Sequence, residues 1–309
     1  MTKISVIIPC YYNEQNIPIT TKVLLDNEKM FQESVSFEYV MVDDGSKDNT
    51  FAELLNFKNE YPQKVTVVKL SGNFGSYNAI LAGMSAATGD CNIVITADLQ
   101  DPPELMIKMY EYWLKGIKLV LANRDSRDEG FFSRVFSNSY HFLLKKFALK
   151  NLPKGGFDYC LFDKKLKEEV LQMNEKNTNS LYLLVWLNYD FVTLPYHRNK
   201  RKIGTSKWTL SKKIKLFIDS FVSFSYVPLR FITISGLILG LISFIYALFI
   251  IYSKFFGFID VQGWSTMMVV FLIISSFQMI SLGIIGEYLW RNLEATRRRP
   301  SYVIDKIIQ

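Results

Sequence analysis

Apolar and polar positions follow two different rhythms along this chain. Five short runs rich in valine and isoleucine, at 4–9, 37–43, 65–70, 91–96 and 119–123, are continuous rather than alternating. Runs of that kind predict strands covered on both faces, as in a mostly parallel sheet. Between them, 16–31, 48–61, 77–87 and 103–115 carry apolar positions at helical spacing, and Pro103 stands just inside a start. That is where its missing N–H costs least. Repeated strand–helix units predict an α/β domain. Further on, the pattern predicts a helix at 130–149, a break at Gly155 and Gly156, and a short segment to Phe162. Two more helical stretches and a strand at 190–196 follow.

A different pattern begins near residue 207. Leu210, Ile214, Phe217, Ile218 and Phe221 share one helical face, with Lys212, Lys215 and Asp219 opposite. Such a helix either lies in a membrane interface or packs on the soluble domain as a surface helix. Next, 231–252 holds 22 residues without a charge, about 33 Å as a helix, which matches a hydrocarbon core. A second uncharged run occupies 261–286, and only Lys254 and Asp260 carry charge between the two. A transmembrane hairpin is expected, with spans near 231–252 and 264–286.

Charge orients that hairpin. Lys207, Lys212, Lys213, Lys215 and Arg230 precede the first span, and Arg291, Arg297, Arg298, Arg299 and Lys306 follow the second. Excess Lys and Arg stay on the cytosolic side, so both termini are expected there. The formal net charge of +7 therefore reads as attraction to anionic headgroups, and no nucleic-acid partner is called for. Residues 1–10 hold one lysine and a short apolar patch ending in proline, too short for a signal-peptide core. The three cysteines, Cys10, Cys91 and Cys160, are too widely spaced for a disulfide framework or a zinc site.

Ligands of an open parallel sheet bind beyond the carboxyl ends of its strands. That rule selects Pro9 to Glu14, Asp43 to Ser46, Ser71 to Gly75, and Ala97 to Glu104, all polar or glycine-bearing. Asp43 and Asp44 exceed what one helix cap requires, and a carboxylate there can accept from a base N–H or a ribose hydroxyl. Asp98, Gln100 and Asp101 gather oxygen ligands suited to Mg²⁺ or Mn²⁺. No G-x-G-x-x-G follows the first strand, which disfavours a nicotinamide or flavin.

Taken in order, S-V-I-I-P-x-x-x-N-E, V-D-D-G-S-x-D-x-T, N-F-G, A-D-L-Q-D-P-P-E and R-x-x-R-x-x-G-x-S-K-W, then two apolar spans, resemble one family. It is the polyprenyl-phosphate branch of the family-2 inverting glycosyltransferases, which includes dolichyl-phosphate mannose synthase and the bacterial GtrB and CsbB types. The resemblance covers nearly the whole chain and implies a nucleotide-diphospho-sugar transferase (GT-A) domain. It implies transfer of a sugar from a UDP-sugar, glucose or N-acetylglucosamine, to polyprenyl (undecaprenyl) phosphate with inversion, for modification of a cell-envelope glycan. The alternatives are a GDP-mannose-using enzyme or an inactive membrane scaffold. A processive synthase is disfavoured, since Q-x-x-R-W is absent.

Site residues follow from the same resemblance. Pro9, Tyr11, Asn13, Glu14, Asp43, Asp44, Asn73, Gly75, Ala97 and Asp98 are expected to bind the nucleotide sugar, with Asp44 facing uracil. Asp98 and Gln100 are expected to hold the cation. Arg198, Arg201, Ser206 and Lys207 are expected on the phosphates, with Arg201 and Lys207 catalytic. Asp158 matches a carboxylate proposed as base, although a cap for the helix near Lys164 is the plainer reading. Two positions depart from the family: Thr96 stands where the first Asp of D-x-D is usual, and Cys160 where an arginine is frequent. The expected organisation is a cytosolic catalytic domain at 1–206, a juxtamembrane helix at 207–228, the hairpin at 229–289 and a basic cytosolic tail at 290–309. The setting implied is a bacterial cytoplasmic membrane, with a homotetramer and a separate flippase downstream.

Overall fold

The computed structural model describes residues 1–124, 142–153, 156–173, 175, 178–198, 218–255 and 263–309. It divides into two compact units, Met1–Phe221 with Arg298–Gln309, and Val222–Arg297. The first unit is built on a sheet of β1 (Thr2–Cys10), β2 (Val35–Asp43), β3 (Val65–Leu70), β4 (Cys91–Val94), β5 (Leu119–Arg124), β6 (Cys160–Asp163), β7 (Phe191–Tyr196) and β8 (Ile304–Ile308). Their spatial order is β7-β5-β6-β4-β1-β2-β3-β8. The predicted strands and helices up to β5 are present, with ends shifted by a few residues.

Strand β1 pairs in parallel with β2 on one side and β4 on the other. Ile4, Val6, Ile7 and Ile8 along it are all fully buried, which explains why the run is continuous rather than alternating. Each such side chain contributes about 1.5–3 kcal/mol on burial. Helices α1 (Ile17–Glu28), α2 (Thr50–Glu60), α3 (Ser76–Ala86) and α4 (Leu105–Leu114) join these strands. Helix α3 lies very close to the sheet, since a Cβ on Gly83 would stand 2.4 Å from Ile7 Cγ2. Any larger residue there would have to push the helix off β1.

Two strands run against the rest. Between β4 and β5, β6 is antiparallel to both, and β8 is antiparallel to β3 at the edge. Helices α5 (Lys164–Gln172) and α6 (Ser180–Trp186) follow β6. Asp163 caps α5, its Oδ1 accepting from Lys165 N at 2.9 Å, so the expected alternative of Asp158 as that cap is corrected. The helix expected at 130–149 is described only in part, with a helical turn at 142–147. Most of the expected amphipathic helix lies outside the described residues.

The second unit contains α7 (Val227–Phe255) and α8 (Trp264–Arg297), of 29 and 34 residues. Both are long and apolar enough to cross a membrane. Leu237, Leu241, Phe244, Phe271 and Leu272 are each more than half exposed, the surface expected of helices that face lipid. Within the stretch 290–309, the last turns of α8 run to Arg297 and Ile304–Ile308 form β8. Within α8, Arg291 donates to Glu287 Oε1 at 3.1 Å and to Ser223 Oγ at 3.1 Å.

Candidate active site

The loops after β1 and β2 hold each other. Tyr12, at φ +55°, donates its N–H to Ser46 Oγ at 3.1 Å, and Asn13 N–H donates to Thr50 Oγ1 at 2.8 Å. Glu14 Oε2 accepts from Asn49 N at 3.0 Å, at the start of α2. Asn13 folds its own side chain back onto Tyr11 N–H at 2.8 Å. Tyr11 is also hydrogen-bonded by Asn73, while limited burial and the charge of Asp44 raise its hydroxyl pKa. Pro9, Tyr11, Asn13, Glu14, Asn73 and Gly75 all keep some exposed surface along this rim.

The adjacent carboxylates after β2 divide their work. Asp44 accepts from Phe74 N at 2.7 Å and Gly75 N at 3.0 Å, tying the loop after β2 to the loop after β3. The two loops approach so closely that a Cβ on Gly45, at φ +69°, would lie 2.4 Å from Gly72 C. Asp44 retains 3% of its surface, whereas Asp43 has none. Asp43 Oδ1 accepts from Ser46 N at 3.0 Å, and its Oδ2 has no hydrogen-bond partner among the described residues. Burial raises the Asp43 pKa, partly offset by the Ser46 hydrogen bonds. This carboxylate lies under the rim and shapes the turn above it. Ala97, 3% exposed, is likewise covered, and its carbonyl accepts from Thr20 Oγ1 at 2.8 Å.

Beyond β4, Thr96 Oγ1 stands 2.8 Å from Asp98 Oδ1 and 2.9 Å from Asp101 Oδ2. Gln100 N–H donates to the same Asp98 oxygen at 3.3 Å. One hydroxyl proton can serve only one of the two carboxylates at a time, so negative charge is crowded around Thr96. Among the described residues no three His, Cys, Asp or Glu side chains form a metal cage. A hard cation here would take Asp98 and Gln100 and complete its shell from phosphate oxygens and water, as Mg²⁺ commonly does. In that sense the donor set fits the expected cation, and Thr96 keeps the two carboxylates together without adding a charge.

Asp101 is fully buried and accepts from the Tyr196 hydroxyl on Oδ1, with Arg198 Nε 3.8 Å from the same atom. Tyr196 oxygen in turn accepts from Arg124 Nε at 3.2 Å, and Arg124 Nη2 meets Asp158 Oδ2 at 2.5 Å. Arg124 is 9% exposed on its side chain and Asp158 is 41% exposed. Burial opposes the charge on Arg124, yet Asp158, Tyr196 and Asp101 together raise its pKa. Burial and Asp101 raise that of Tyr196.

The expected residues Asp98, Gln100, Asp158 and Arg198 thus converge at one edge, joined by Asp101, which the sequence offered as an oxygen ligand, and by Tyr196 and Arg124, which sequence reasoning did not assign. Arg124 directly follows the strand predicted at 119–123 and ends the observed β5, so the carboxyl-end rule extended by one residue would have found it. Cys160 is fully buried, and burial pushes its thiol pKa up. Arg201, Ser206 and Lys207 lie outside the described residues.

A family model described as Glycosyl transferase family 2 matches residues 5–171. The chain belongs to glycosyl transferase family 2. It is 34% identical to the uncharacterized glycosyltransferase YkcC of Bacillus subtilis (strain 168), over 98% of this chain and 93% of that protein. It is 31% identical to the prophage bactoprenol glucosyl transferase homolog of Escherichia coli (strain K12), over 99% of each. Among solved structures, the mannosyltransferase PcManGT from Pyrobaculum calidifontis, in complex with GDP-Man and Mn²⁺, aligns with a TM-score of 0.46 at 19% identity. That alignment covers 63% of this chain and 55% of that one. Family membership and the sheet identify the nucleotide-diphospho-sugar transferase (GT-A) fold, and the two apolar helices follow it as expected.

Proposed function

We propose that this glycosyltransferase moves a sugar from a UDP-sugar, glucose or N-acetylglucosamine, to polyprenyl phosphate with inversion at the anomeric carbon. The observation that carries this reading is the joined edge itself. Asp98 and Gln100 on the loop after β4 are linked through hydrogen bonds to Asp158, in a chain that also has two membrane-length helices. A relative named for bactoprenol glucosyl transfer covers both parts.

In this reaction an oxygen of the lipid phosphate attacks the anomeric carbon while the bond from that carbon to the donor diphosphate breaks. The electron pair leaves with UDP. A phosphate monoester loses its second proton near pH ~6, so little help from a base is needed at neutral pH. Asp158, engaged by a guanidinium, serves to orient the acceptor or the sugar. Asp44, through the little surface it keeps, accepts from the uracil N–H, and Tyr11, Asn13 and Asn73 border the nucleotide. Asp98 and Gln100 would hold Mg²⁺ or Mn²⁺, which supplies compensation for charge on the departing diphosphate. Arg198, Arg201 and Lys207 supply cations to the phosphates, and Ser206 offers a hydroxyl donor. The lysines and arginines flanking α7 and α8 favour a cytosolic catalytic unit.

Purified protein incubated with labelled UDP-glucose, UDP-N-acetylglucosamine and GDP-mannose, each with undecaprenyl phosphate, tests the reading. Label should enter the organic phase from a UDP-sugar and require a divalent cation. Transfer from GDP-mannose alone would overturn the donor assignment, and no transfer from any donor would favour the scaffold.

A further inference from the structure

We propose that Tyr196 is a positioning residue that clamps the Arg124–Asp158 pair to the loop after β4, an inference that rests on the glycosyl-transfer reading above. Tyr196 is buried at the end of β7, its ring edge-on to Tyr159 at 6.2 Å. Tyr159 itself donates to Pro102 O at 3.3 Å, in the same loop as Asp101. The direction of each hydrogen bond is fixed by chemistry. Arg124 has only donors, so Nε–H donates to the phenol oxygen, and the single phenol proton goes to Asp101.

A guanidinium is a rigid plane, and two points define how it can turn. Nε is held by Tyr196 and Nη2 by Asp158. Removing the phenol oxygen frees one point, so the plane can rotate and the half-exposed Asp158 shifts with it. Asp101 anchors the clamp on the donor side, because its other oxygen meets Thr96, which also meets Asp98. Carboxylates from loops 60 residues apart in sequence, Asp98 and Asp158, are thereby set in one register. A misplacement near 1 Å costs on the order of 10²-fold in rate, so the clamp matters for turnover more than for donor affinity.

The test is a double-mutant cycle on the full chain in lipid, with Tyr196→Phe, Asp158→Asn and both together. Tyr196→Phe keeps the ring and should lower kcat by roughly 10- to 100-fold while the UDP Kd holds. The double variant should be no slower than Asp158→Asn alone, because the phenol acts through that carboxylate. Arg124→Lys, which keeps the cation and loses Nε, should show the same non-additivity with Tyr196→Phe. Additive losses, or a weakened UDP Kd with kcat intact, overturn the clamp. The Arg124 Nε–H resonance in NMR gives a readout independent of activity. It should exchange slowly with solvent in the parent chain and quickly in Tyr196→Phe, and equal exchange overturns the proposal. If the parent chain transfers no sugar, the glycosyl-transfer reading falls, and the NMR comparison still decides the clamp.

Discussion

The two halves of the sheet place their polar groups by different means. On the β3-β2-β1 side every pairing among the three strands is parallel, and the loops beyond them are held by carboxylates and hydroxyls that bond backbone N–H groups. Asp44 with Phe74 and Gly75, Glu14 with Asn49, and Ser46 with Tyr12 are of this kind. On the β4-β6-β5-β7 side the bonds run between side chains: Thr96, Asp101, Tyr196, Arg124 and Asp158. The reversed strand is the cause. Because β6 is antiparallel to β4 and β5, the residues before it reach the edge where its neighbours end. Asp158 therefore meets Arg124 although the two are 34 positions apart. A strand that breaks the parallel rule brings a distant carboxylate to the carboxyl edge.

If the halves differ in this way, substitutions on the parallel side should weaken donor binding and stability, and those on the reversed side should slow turnover. Asp98 stands where the halves meet, so Asp98→Ala should have the largest effect. Losing an anionic ligand for the proposed cation is worth several kcal/mol of charge stabilisation, roughly 10³-fold or more in kcat. Steady-state transfer at saturating Mn²⁺ measures it, and a loss under tenfold would remove Asp98 from the metal site.

Asp44→Ala comes next. It strips the acceptor from two backbone N–H groups, each worth about 1–3 kcal/mol when left unsatisfied away from water. UDP affinity should fall by about 10- to 100-fold as the loop after β3 loosens, and the melting temperature should drop with it. Calorimetric titration with UDP reads the first and a thermal scan the second. Unchanged UDP affinity would show that the bridge between the loops has no part in donor binding.

How much of this was legible in the sequence follows the same division. Strand, loop and helix succeed one another along β1 to β4, so contiguous motifs fall at one edge and the carboxyl-end rule finds them. The four residues of β6 are too short to show a direction, and only the neighbouring strands fix it. The last strand was hidden for a related reason. Ile304–Ile308 reads I-D-K-I-I, without the clean period of a half-buried strand, and the open edge of β3 decides its structure. Within the carboxylate pair, Asp43 and Asp44 are indistinguishable in sequence, and burial alone separates the one beneath the rim from the one that spans it.

The C-terminal strand sharpens the comparison further. Its pairing with β3 covers the edge of the parallel half, and Val303 O accepts from Ser71 N at 3.0 Å, beside the loop that Asp44 holds. A catalytic unit cut before the hairpin would lose this strand and expose an unpaired edge. Removing residues 299–309 alone should therefore lower the melting temperature by several degrees, since about 1 kcal/mol corresponds to roughly 2–4 °C at this size. It should weaken UDP binding more than it slows transfer at saturating donor. Faster hydrogen exchange at 71–75 would locate the effect, and an unchanged rate there would show that the strand only covers an edge.

The smallest effect is expected at Asp43. The amide of Asp43→Asn keeps an oxygen for Ser46 N–H and removes a carboxylate that burial disfavours, so donor affinity should change little while stability rises. The sign with pH can be worked out from the raised pKa in the folded chain. A folded state that holds the Asp43 proton more tightly than the unfolded chain loses relative stability as pH rises between the two pKa values. At low pH both states are protonated and the carboxyl costs nothing as a charge. The gain from Asp43→Asn should thus be near zero in acid, grow as pH rises above the ordinary carboxylate range and level off once the folded group has ionised. At neutral pH the melting temperature of Asp43→Asn should lie above that of the parent chain. Thermal scans of both proteins across about four pH units, from acid to slightly above neutral, give the curve directly. A gap that widens toward acid would mean the Asp43 charge is stabilising. The parallel half would then be held by electrostatics as well as by its backbone bonds.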